Sequence, residues 1–248
     1  VKIMSVSLNT ITTQHHKQPI IVVHGTPGIG KTYFAAGAEA PIFIPTEAGL
    51  GSLVVPAFPC AATFQDVSDS IDALMTEQHD YKTLVIDTLS SLEPLIWKAI
   101  AKREKFPTIE RMPFAGGYKM AVGAWRNLFN QLDDLAKAKD MRIVLIAHSE
   151  ITQYKAPDVE VYDRFQIKLH KLAMQLIHER ADVIAFANTK VSVTQEGMGF
   201  STQKKATGTS RTLSLVEKPA FIAKNRYAMP EQVDFEWNAF AQHLPNNI

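Results

Sequence analysis

The chain is nearly without cysteine. Cys60 is the only one in 248 residues, so no disulfide can close within the chain. That usage fits a reducing compartment. An excess of either charge is also missing: 26 Lys and Arg stand against 25 Asp and Glu, a formal charge of +1. With no global basic field, any nucleic-acid site has to be local. No apolar run approaches the roughly 20 residues that span a bilayer, which argues against a membrane partner. The first residues lack the basic-then-apolar order of a signal peptide, and 5–17 are polar and threonine-rich. These absences lead to the expectation of a cytoplasmic protein. Repeats and long low-complexity tracts are absent too. What remains is ordinary globular material, 46% apolar and 21% charged. The length suits one large domain, read as 19–248 behind a lead-in segment at 1–18.

What the chain does contain is one highly specific stretch, Gly25-Thr26-Pro27-Gly28-Ile29-Gly30-Lys31-Thr32. It has the G-x-x-x-x-G-K-[ST] form of the phosphate-binding P-loop. The apolar run at 20–24 leads into it, and small residues at 33–40, beginning with Tyr33, continue as a predicted helix. Glycines allow main-chain amides to approach phosphate oxygens. The start of the helix adds the positive end of its dipole. Lys31 is placed to reach the β- and γ-phosphates of ATP, and the Thr32 hydroxyl to ligate Mg²⁺.

Further along, apolar runs alternate with amphipathic segments. Strands are predicted at 41–45, 83–87, 142–147 and 182–187, with a short one at 3–8. Helices are predicted at 64–78, 88–104, 118–139 and 163–180. Residues 105–117 read as a loop, and 151–162 as a polar connection. From 191 onward the pattern is β-hairpin material: strands at 191–194, 212–216 and 220–224 around a loop at 197–210. Repeated strand–helix alternation with continuous apolar strands predicts an α/β fold, a mainly parallel twisted sheet covered on both faces.

Asp87 closes an apolar strand, as a Walker-B aspartate does, and is the second expected metal ligand; the alternative is a helix N-cap. Thr88 stands where many P-loop machines place a glutamate. A hydrolytic carboxylate must therefore come from another strand tip. Glu47, just past 41–45, fits the task of aligning water for attack on the γ-phosphate. Glu93 and Glu150 are weaker candidates. His148 lies past the tip of 142–147, as a γ-phosphate sensor or a core histidine. Lys224 and Arg226, two apart, share a strand face. They read as fingers for a neighbouring subunit's phosphate or as solvated cations.

The set formed by the P-loop, Thr46-Glu47, Asp87-Thr88 and Lys224-x-Arg226 resembles the RecA-like P-loop ATPase core. Within it, the chain looks like small phage-encoded nucleotide-binding proteins of the single-strand annealing or minimal recombinase type. The resemblance implies Glu47 as the catalytic carboxylate. It implies Lys224 and Arg226 acting in trans within a ring or filament, and His148 linking γ-phosphate to DNA-binding loops. It implies single-stranded DNA as a partner, a single-strand-binding protein as a further one, and a bacterial host's cytoplasm as the location. The DNA-binding loops would then be 104–119, with Lys105, Phe106, Arg111, Phe114, Tyr118 and Lys119, and 150–165, with Tyr154, Lys155 and Arg164. Cations interleaved with aromatics suit a single strand's phosphates and bases. The Lys204-Lys205 pair and Arg211 are further cations for phosphate. The implied activity is DNA-stimulated ATP hydrolysis driving annealing or recombination. A helicase or translocase, and a nucleotide-gated DNA-binding module with little turnover, are the alternatives.

Overall fold

The computed structural model describes residues 18–157, 159–196 and 203–245. The lead-in at 1–17, including the strand expected at 3–8, lies outside the described residues. Five parallel strands form the centre of a nine-stranded sheet. They are β1 (Ile20–Gly25), β2 (Pro41–Pro45), β3 (Thr83–Asp87), β4 (Arg142–Ala156) and β6 (Val183–Glu196). Three antiparallel strands flank β6: β7 (Gln203–Ser214), β8 (Lys224–Asn225) and, beyond β7, β9 (Gln232–Asp234). The path runs β2-β3-β4-β1-β6-β7-β9, with β5 (Val159–Ile167) paired to the far part of β4.

Each parallel strand reads as unbroken apolar residues because both faces are covered. Ile20 and Val22 pack with α2 (Phe64–Thr76), α3 (Leu89–Arg103), α4 (Gly116–Lys139) and α5 (Lys171–Arg180). Ile21 and Val23 pack on the other side with α1 (Lys31–Ala36) and α6 (Trp237–Ala241). Full burial of one such side chain contributes about 1.5–3 kcal/mol. The central strands therefore form a rigid base for the loops at their carboxyl ends. Thr63 and Asp66 cap α2 reciprocally, a capping box. Among the described residues, no helix is long and apolar enough to cross a membrane.

Several elements differ from the sequence expectation. The helix expected over 163–180 is strand β5 as far as Ile167, and helix only over Lys171–Arg180. The strand expected to stop at 147 continues to Ala156 and pairs antiparallel with β5, from Ser149–Ile167 to Ala156–Val159, in place of a polar connection followed by a helix. The strands expected at 182–187 and 191–194 are one strand, β6. Of the loop expected at 197–210, residues 203–210 belong to its partner β7, and 197–202 lie outside the described residues. The strand expected at 220–224 reduces to Lys224–Asn225. Residues 105–117 contain two short 3-10 turns, at Ile109–Arg111 and Pro113–Ala115.

Candidate functional site

Register brings the P-loop, Glu47, Asp87 and His148 to one end of the sheet. Gly25 pairs with His148 on one side and Ala187 on the other, and Pro45 pairs with Asp87. The tips of β1, β2, β3 and β4 thus lie side by side, which is where ligands bind open α/β sheets. A side chain at Gly25 would meet the Ala187 carbonyl oxygen at 2.6 Å, so only glycine permits β1 and β6 to pair this closely. Gly30 N-caps α1 at φ 105°, a left-handed geometry that side chains resist.

Lys31 is buried and folds back across the loop. Its Nζ donates to the carbonyls of Gly25 and Thr26, both at 3.0 Å. Burial lowers its pKa, against the pull of Asp87 and Glu47. Thr32 Oγ1 donates to Asp87 Oδ2 at 2.8 Å. Burial raises the Asp87 pKa; the Thr32 bond and the charges of Lys31 and His148 act the other way, while Glu47 adds to the rise. Asp87 does not cap α3, because Thr88 does, accepting from Ser91 N at 3.2 Å. The Asp87–Thr88 peptide is cis. Among the described residues, no group of three or more His, Cys, Asp or Glu could hold a metal. A hydroxyl beside one carboxylate suits Mg²⁺, a hard cation that completes its shell with water and phosphate oxygen.

Glu47 stands next to this pair with both oxygens engaged. Ser91 Oγ donates to Oε2, and His148 Nε2 lies 3.2 Å from Oε1. Thr46 anchors the turn: its hydroxyl donates to Thr88 O at 2.7 Å and accepts from Thr88 N at 2.9 Å. Ser90 Oγ accepts from His148 N at 3.0 Å. Behind the P-loop, His24 is fully buried between Ser149 Oγ and Ile222 O, each 2.9 Å away. The Ile222 carbonyl can only accept, so Nε2 carries the proton and Nδ1 accepts from Ser149. Burial pushes the His24 pKa down to about 4. The weaker carboxylate candidates lie elsewhere. Glu93 is buried within α3 and accepts from His170 N at 2.9 Å. Glu150 follows His148 and Ser149 along β4, beyond the parallel pairing with β1.

Arg211 takes a place at the site that its local sequence does not announce. It pairs with Thr189, two residues beyond Ala187 and hence beyond the level of Gly25. Its Nη1 donates to Ile29 O at 3.1 Å. The guanidinium lies 5.9 Å from the Phe235 ring centroid. Arg211 and Phe235, with Gly30, Tyr33 and Trp237, line a cavity of about 160 Å³ beside α1. The side chains of Lys204 and Lys205 lie outside the described residues.

The Lys224–Arg226 pair is placed at the other end of the sheet. Lys224 Nζ donates to His178 O and Ala181 O, and Arg226 to Glu179 O and Asp182 Oδ1. In their present contacts these are cations closing the carbonyl end of α5, Lys224 partly buried and Arg226 still exposed. They lie beside the first residues of β1 and β6, about 17 Å along the strand from Gly25.

The expected DNA-binding residues divide. Phe114 is 98% exposed and held at φ 53°, and Lys105, Arg111 and Lys119 are exposed around it in sequence. Phe106 packs against the core, and Tyr118 stacks on His170 with centroids 4.4 Å apart, so neither ring is open to a base. On the β4–β5 hairpin Lys155 is exposed, and Tyr154 pairs with Tyr162. Arg164 is buried, bonded to Glu217 and stacked 5.0 Å from the Tyr154 centroid.

The mostly parallel sheet and the P-loop site at its strand tips define a P-loop NTPase core of the RecA-like kind. The chain matches the family model described as an AAA domain over residues 17–227, and it belongs to that family. It is therefore a nucleotide-binding ATPase domain. No curated protein matches it significantly.

Proposed function

We propose that the chain is an ATPase that binds single-stranded DNA and couples ATP hydrolysis to strand annealing or recombination. The observation that carries the hydrolytic part is the meeting of Lys31, Thr32–Asp87 and Glu47–His148 at adjacent strand tips. Amides of the P-loop and Lys31 hold the phosphates. Lys31 exchanges the Gly25 and Thr26 carbonyls for phosphate oxygens. Thr32 and Asp87 would hold Mg²⁺, which when bound screens charge on the β- and γ-phosphate oxygens. Glu47 aligns the attacking water, with Ser91 and His148 fixing the carboxylate. The cavity lined by Tyr33, Arg211 and Phe235 takes the nucleoside.

His148 supports the coupling. It faces Glu47 at the tip of the parallel part of β4, and the same strand continues into the β4–β5 hairpin. A change at the γ-phosphate thereby reaches Tyr154 and Lys155 through one strand, and Tyr162 through its pairing with Tyr154. Phe114 supplies an open ring, with Lys105, Arg111 and Lys119 for phosphates. Assembly of several copies into a ring or filament in the cytoplasm belongs to the same reading. In it, Lys224 and Arg226 reach a neighbour's phosphate only after leaving the α5 carbonyls.

The test is phosphate release from Mg-ATP with and without an oligothymidine. The reading expects slow turnover that the oligonucleotide raises, and loss of that rise in Phe114→Ala/Arg111→Ala with basal turnover kept. Turnover indifferent to the oligonucleotide overturns the DNA part. ATP binding without any turnover leaves a nucleotide-gated module.

A further inference from the structure

A groove that the nucleotide site does not use runs between α3 and the segment that follows it. Its volume is about 630 Å³, within the roughly 300–1,000 Å³ of ligand clefts. Trp97, Ala101, Phe106 and Ile109 make its surface largely apolar, with Pro94 and Pro107 beside them. The opposite face of α3 is locked into the core through Leu92, Ile96 and Ile100. The groove is therefore preformed, and left open it keeps apolar surface in water.

Its rim is basic. Lys98 and Lys102 both line it and are exposed. Neither has an ion pair among the described residues, whereas neighbouring Arg103 is bonded to Glu104. Lys102 lies in the last turn of α3, where the helix dipole favours a cation. Lys98 lies a turn earlier, where that effect has faded. Four residues apart, the two ammonium groups repel each other. From 94 to 111 the chain carries Lys98, Lys102, Arg103, Lys105 and Arg111 against Glu104 and Glu110.

We propose that this groove docks an acidic peptide segment of a partner protein that carries a bulky apolar anchor. The anchor fills the trough between Trp97 and Phe106, and carboxylates beside it meet Lys98 and Lys102. Apolar anchors in preformed grooves supply most of the binding energy in such contacts, and charge on the rim supplies specificity. Nucleic acid fits less well. Of the two rings in the groove, Phe106 packs on the core, whereas single-strand sites present several free rings to successive bases. Glu110, also on the lining, opposes carboxylates as it does phosphate, so the peptide's acids belong on the Lys98–Lys102 side.

The test uses the full chain and a fluorescein-labelled peptide of roughly ten residues, aspartates and glutamates around a central Phe-Leu pair. Anisotropy at about 0.15 M salt should show saturable binding. Replacing Phe-Leu by Ser-Ser should weaken it about tenfold or more. The double charge reversal Lys98→Glu/Lys102→Glu should do the same. Lys82→Glu/Lys137→Glu, an equal charge change elsewhere on the surface, should leave it within about twofold. An excess of oligothymidine should not displace the peptide. Absence of saturable binding overturns the proposal, as does equal loss in both charge reversals. Displacement by oligothymidine together with loss of DNA binding in Lys98→Glu/Lys102→Glu also overturns it, making the groove a nucleic-acid surface. ATP binding and basal turnover should be unchanged in that variant, so failure here is separable from failure of the ATPase reading.

Discussion

At the carboxyl end of the central strands, Lys31, Thr32, Asp87, Glu47 and His148 bond to one another or to loop carbonyls. At the amino end, Lys224, Arg226 and Asp182 bond to one another and to main-chain groups of α5 and β1. Residue types are shared; partners are not. A phosphate can replace the carbonyls of Gly25 and Thr26 under Lys31 without disturbing any strand. Nothing can replace the carbonyls of α5 without unfastening a helix end. A charged cluster is thus functional or structural according to what its bonds would release.

The sharpest way to break this contrast is Lys31→Ala. It should lower kcat/KM for Mg-ATP by about a thousandfold while leaving the thermal midpoint close to the wild-type value. Glu47→Gln comes next. Turnover should fall by about a hundredfold or more with nucleotide binding kept, as equilibrium titration beside phosphate release will show. If Glu47→Gln turns over normally, the water-aligning carboxylate is elsewhere.

Two buried groups, Glu93 in α3 and His24 behind the P-loop, give the third prediction. Burial raises the Glu93 pKa from 4.5 to about 7. Between those values the unfolded chain releases a proton that the folded chain retains, so stability falls as pH rises. The size is roughly 3 kcal/mol. His24, held down near 4 by burial, acts in the other sense, and its contribution is lost as pH falls from 6.5 to about 4. The two nearly cancel where their windows overlap. Glu93→Gln keeps an oxygen to accept from His170 N. Its stability relative to wild type should rise by roughly 3 kcal/mol from pH 4.5 to 7, measured by urea midpoints. A difference independent of pH would show that Glu93 ionises normally.

The smallest effect is expected at the amino end. Arg226→Ala removes a half-exposed partner of buried Asp182 and one cap of α5. It should cost about 1–2 kcal/mol, or roughly 2–8 °C in midpoint. Turnover per folded molecule should be nearly unchanged. Loss of turnover without loss of stability would instead make Arg226 a finger acting between subunits.

Much of the site was legible because each part is a local pattern. The P-loop is eight consecutive residues, and Asp87 and Glu47 each close a short apolar run. That the runs are parallel neighbours followed from their continuous hydrophobicity. The hairpins were harder. Val159, Val161, Phe165 and Ile167 alternate as a strand does, but Asp163 interrupts them and Leu169 and Leu172 follow at helical spacing. The apolar pattern there changes period without a glycine or proline to mark it. Arg211 was legible only as one more cation. Its place over Ile29 comes from the β6–β7 register, which no window of sequence contains. The spacing of Lys224 and Arg226 puts them on one face, but it does not reveal that α5 ends beneath them.

The contrast between the two ends meets its most direct test in calorimetric titration of Mg-ATP into wild type, Lys31→Ala and Arg226→Ala. Saturable binding to wild type and Arg226→Ala, with none to Lys31→Ala, is the predicted result. Wild-type protein that takes up no nucleotide, or Lys31→Ala that binds as wild type does, would contradict the assignment of the carboxyl end as the nucleotide site.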